Sequence, residues 1–100
     1  MDEQLARLWA EHRQAAAPDL SGVETPGVDL VPLIAGVEDC IGRYLAAGTL
    51  DYARTLQLRQ AYAQLWSAEN DLPGAAATWV DRLRSMSRLV LEQTAVEPAG

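Results

Sequence analysis

Apolar positions recur at the three- and four-residue spacing of an α-helix in four separate stretches, and no stretch alternates apolar and polar residues for long enough to read as a strand. The first stretch predicts a helix over about 2–16, with Leu5, Leu8, Trp9, His12 and Ala16 on one face. Asp2 and Glu3 suit the positive end of its dipole, and Pro18 stops it. The second predicts a helix over 30–47. Asp29 stands at its N-cap, Pro32 in its first turn where the missing N–H costs little, and Gly48 at its C-terminal stop. Its apolar residues Leu30, Leu33, Ile34, Val37, Cys40, Ile41, Tyr44 and Leu45 fall within an arc of roughly 140° at the helical period.

The third stretch predicts a helix from Leu50 or Asp51 to about residue 69, with Thr49 as candidate N-cap. Its apolar set is wider. Tyr52, Leu56, Ala63 and Trp66 form one stripe, and Leu58, Tyr62 and Leu65 an adjoining one. A face this broad implies cover on two sides, as the central helix of the domain or as part of an oligomer interface. After the turn Asn70-Asp71-Leu72-Pro73-Gly74, the fourth stretch predicts a helix over 75–93. Ala76, Trp79, Val80, Leu83, Met86, Ser87, Val90 and Leu91 make its inner arc, while Arg82, Arg84, Arg88 and Leu89 point outward.

These elements imply an all-α, compact four-helix domain spanning 1–100. The short links fold helices two to four into an antiparallel core. Helix one docks onto it through the Pro/Gly-rich loop 18–28, and residues 95–100 read as a frayed tail. Hydrophobic residues make up 49% of the chain, enough material for one core.

Charge narrows the partners. The net charge is −6 with no basic block, which argues against nucleic acid and against anionic membrane surfaces. No apolar run is long enough to span a bilayer, and no secretory signal is visible. With Cys40 as the single cysteine, a reducing, cytoplasmic setting is expected. All eight cationic residues are arginines, so chemistry that needs a lysine amine is excluded.

Candidate chemistry is confined to breaks in the apolar faces. His12 interrupts helix one. Arg59, with Thr55 beside it, interrupts helix three between Tyr52 and Trp66, and Ser87 interrupts helix four. A guanidinium on an apolar arc must reach solvent along its stem or find a carboxylate. Ser87 lacks the glycine-flanked elbow of a nucleophile and can bond to the carbonyl one turn back. Cys40 reads as a small buried hydrophobe. No phosphate loop, dinucleotide fingerprint or metal-ligand spacing is present, so no catalytic, metal or cofactor residue is assigned.

The expectation is a protein–protein interaction or regulatory module, with self-association as one form of it; the absent motifs lower the odds of an enzyme without excluding one. Leu58, Tyr62, Leu65 and Leu89 are the candidate interface residues. The alternative is a bundle that holds a small anionic ligand or substrate in an interhelical pocket, with Arg59 as its clamp, His12 as acid/base and Trp66 or Tyr62 as wall; Thr55 and Ser87 are further candidate polar residues.

Overall fold

The computed structural model describes residues 3–15, 17, 18, 20, 27, 29–68, 72 and 74–94. Four helices follow in order: α1 (Glu3–Gln14), α2 (Leu30–Ala47), α3 (Tyr52–Ala68) and α4 (Gly74–Thr94). No strand occurs among the described residues. Most of the loop 18–28, the residues 69–71 and 73 of the last turn, the expected helix ends at residues 2, 16 and 69, and the tail 95–100 lie outside the described residues.

The ends of the helices follow from local chemistry. At the start of α2, Asp29 is extended and its carbonyl accepts the Leu33 N–H at 3.2 Å, but its side chain makes no cap bond. At the far end Gly48 takes a left-handed conformation (φ 79°), and its N–H closes on the Tyr44 carbonyl at 2.7 Å. A residue with a Cβ is strained there, so glycine sets the stop. The cap of α3 is Asp51 and not Thr49: its Oδ1 accepts the Arg54 N–H at 2.8 Å. That backbone bond, with the 2.7 Å bond from the Arg54 guanidinium, holds the Asp51 carboxyl below its ordinary range. Arg54 also stands 3.9 Å from Asp39, which pairs with Arg43 at 2.9 Å, so a surface chain of alternating charges ties α2 to the start of α3.

Helices α2, α3 and α4 pack on one another, and α1 packs on α4. The central helix is therefore α4, which touches all three others. This explains a departure from the expected pattern: Leu89 does not face out but belongs to the core at 9% exposure. A helix covered on three sides buries more than one arc. Arg82 and Arg84, expected in solvent, are half-buried for the same reason, and only Arg88 is exposed.

On α3 the two apolar rows separate. Leu58, Ala61, Leu65 and Ala68 enter the core, with Leu58 and Leu65 at 0% exposure. Tyr52 (78%), Leu56 (36%) and Trp66 (53%) face outward, and Arg59 and Ala63 are exposed among them. The inner row carries no charge and can be sealed. The outer row carries Arg59 at its middle, and burying an unpaired guanidinium is costly.

Two glycines of α2 admit neighbours. At Gly42 the Trp9 indole of α1 lies 3.6 Å from where a Cβ would stand, and at Gly36 the Gln57 Nε2 of α3 lies 3.2 Å from it. The core joins Leu5 of α1, the inner arcs of α2 and α4, and the inner row of α3. Across α2 and α4 the Tyr44 hydroxyl donates to Gln93.

Candidate functional site

The polar residues singled out by the apolar pattern do not form one site. His12 is 2% exposed and enclosed by α1, α2 and α4. Its Nε2 donates to Glu38 Oε2 of α2 at 2.6 Å. Its ring lies between Trp9 (centroids 5.9 Å apart, stacked) and Trp79 of α4 (4.1 Å, tilted). Nδ1 is buried and has no hydrogen-bond partner among the described residues. An open cavity of about 510 Å³ runs beside this group, lined by Trp9, Arg13, Ala35, Glu38, Asp39 and Trp79 among others. The buried, bonded ring makes His12 a latch that fastens α1 to α2 and α4.

Arg59 stands on the outer side of α3, away from this enclosure. Among the clefts lined by described residues none is lined by both Arg59 and His12, so the alternative of one interhelical pocket holding both finds no such geometry. The physical reason is the turn of α3, which sends the charged row to solvent. Thr55 is half-buried, and its hydroxyl donates to the carbonyls of Asp51 (2.8 Å) and Leu50 (3.4 Å), which occupies it in the first turn of α3. Ser87 is fully buried and donates to the Leu83 carbonyl at 2.8 Å, the one-turn-back bond its position called for. Cys40 is buried with its Sγ 3.8 Å from the Arg54 carbonyl; burial pushes its thiol up, and the neighbouring Asp39 adds to this. Such a thiol is a poor nucleophile.

The candidate interface residues also need correction. Leu58, Leu65 and Leu89 are core residues and are not available to a partner. Tyr62 sits at the border, half-buried and edge-on to Trp66 at 6.5 Å. The exposed apolar surface of α3 is instead Tyr52, Leu56 and Trp66, and Val31 of α2 is a further exposed apolar residue at some remove in the chain.

Between α3 and α4 the outer side holds a second feature that the sequence pattern gave no reason to assemble. The Arg84 guanidinium lies 3.8 Å over the Trp66 ring and bonds Asp81 at 2.6 Å. The only advance signal for it was the i, i+4 row of Arg84 and Arg88, which periodicity assigns to solvent.

Among the described residues no group of three or more His, Cys, Asp or Glu could hold a metal ion, and no helix is long and apolar enough to cross a membrane. The chain matches no family model, no curated protein and no solved structure.

Proposed function

We propose that the chain is a protein-interaction module that docks a helix of another protein along the outer row of α3. The observation that carries this reading is the spacing of exposed residues: Tyr52, Leu56, Arg59, Ala63 and Trp66 follow one another at alternating four- and three-residue steps. That is the seam by which one helix packs along another. A patch of this kind, apolar at both ends with one charge in the middle, marks a contact surface. The positions flanking the row, Ala53, Thr55, Gln60 and Ser67, are small or uncharged and can close over an apolar contact.

Arg59 selects the occupant. Two copies of this chain paired through the row bring their Arg59 side chains together or within one turn of each other, a like-charge contact that costs stability. A partner helix with apolar residues at the same spacing and a carboxylate opposite Arg59 converts that charge into an attraction.

A synthetic amphipathic peptide tests this, with leucines at alternating three- and four-residue spacing and a glutamate placed to meet Arg59. Leu56→Ser is expected to weaken its binding by about tenfold or more, the equivalent of losing most of a leucine contact. Thermal stability should barely change, because Leu56 is outside the core. Unchanged affinity for the Leu56→Ser variant would remove the seam from the contact. Sedimentation of the chain alone is expected to show a monomer; a dimer dispersed by Leu56→Glu would make a second copy the occupant and overturn the assignment.

A further inference from the structure

The outer cleft between α3 and α4 encloses about 280 Å³ and is lined by Tyr62, Trp66, Arg84, Ser85 and Arg88. Each of these side chains offers a hydrogen-bond donor: a phenol, an indole N–H, a hydroxyl and two guanidinium groups. No carboxylate occurs in its described lining, although the whole chain carries a net charge of −6. Among the clefts lined by described residues, Asp29 lines one and Glu38 two others.

The two arginines have different states. Arg84 is held in place, with its side chain 14% exposed, one nitrogen on Asp81 at 2.6 Å and its plane 3.8 Å over the Trp66 ring. Arg88 stands one turn further along α4, is exposed, and makes no ion pair among the described residues. A partly buried, fixed guanidinium sustains a stronger local field than a solvated one. A second cation at i, i+4 adds a repulsion that an anion between them would relieve. With the neutral donors of Tyr62, Trp66 and Ser85 added to two guanidinium groups, the cleft offers more donors than the roughly four acceptor positions of a carboxylate can take. A phosphate monoester presents three terminal oxygens and close to two negative charges, and guanidinium groups are its usual partners.

We propose that this cleft is a binding site for a phosphate monoester. The ester oxygen and its organic group would lie toward the half-exposed Trp66 indole, with Arg84 as the fixed charge and Arg88 as the arm that closes on the phosphate. This site shares Trp66 with the helix-docking seam but rests on a different observation, the donors that α4 gathers beside it. A chain that binds phosphate but no helical peptide keeps the one and loses the other, and the reverse outcome does the opposite.

The test follows the indole N–H signals of the three tryptophans by nuclear magnetic resonance, with Trp66→Phe to assign its signal. Inorganic phosphate, phenyl phosphate and acetate are titrated separately at constant ionic strength. A saturable shift of the Trp66 signal with phosphate is expected, stronger with phenyl phosphate if the indole takes the organic group. Acetate should act at least about tenfold more weakly. Arg88→Gln should weaken phosphate by about tenfold or more, the worth of a charge-assisted hydrogen bond, and Tyr62→Phe should weaken it in the same direction. Arg13→Gln, remote from the cleft, should leave binding unchanged. A Trp66 signal that does not saturate, equal binding by Arg88→Gln, or acetate as tight as phosphate each overturns the assignment.

Discussion

Leu58→Ala is expected to lower the free energy of unfolding by about 3–4 kcal/mol, while Leu56→Ala, two residues earlier on the same helix, lowers it by less than about 1 kcal/mol. The chemistry of the two changes is identical, so the contrast isolates burial. Leu58 is fully enclosed by the core shared with α2 and α4, and truncation leaves a cavity that close-packed neighbours fill only in part. Leu56 already meets water and loses little. Urea denaturation measures both. Equal losses at the two positions would mean that both rows of α3 are buried and would remove the free surface on which docking depends.

The second large effect is expected at His12. His12→Ala should cost about 3 kcal/mol, from the ring volume lost between Trp9 and Trp79 and from the broken bond to Glu38. Glu38 is only partly buried and can turn to water, so its share is the smaller one. His12→Phe keeps the ring packing but not the bond, and should recover roughly half of the loss. Intrinsic fluorescence should shift to the red in His12→Ala as Trp9 and Trp79 gain water. A His12→Ala variant as stable as the wild type would show that the ring does not fasten α1, and would leave its enclosure between two indoles without a structural purpose.

Much of this was readable from local chemistry. Helix α2 has the bounds its apolar arc predicts, because Gly48 and the Asp29-Leu30 boundary are local signals. The Ser87 bond was readable for the same reason: its partner lies one turn back on its own helix. The errors share another cause. The period of α3 marks two apolar rows but carries no information on which one meets the core. The charge of Arg59 decides it: of the two outcomes open to a guanidinium on an apolar arc, reaching solvent or finding a carboxylate, the exposed position is the first. The period of α4 puts Leu89 outward, yet the number of neighbours a helix has is set by tertiary packing and not by its own period. His12 was rightly located on the apolar face of α1. Its partner Glu38 lies off the apolar arc of α2, and only the docking of α1 brings a residue 26 positions away within 2.6 Å. The Trp66–Arg84 stack joins two helices that each look unremarkable there when taken alone.

In the proposed function, the outer row of α3 is a helix-docking seam whose single charge chooses its partner. A charge exchange tests this most directly: the affinities of the wild type and of Arg59→Glu are measured by calorimetry for two peptides that differ only in a glutamate or a lysine opposite position 59. The wild type is expected to prefer the glutamate peptide and Arg59→Glu the lysine peptide, each by about fivefold or more, as one well-placed ion pair at a partly desolvated contact allows. Equal affinity of both proteins for both peptides would contradict the account.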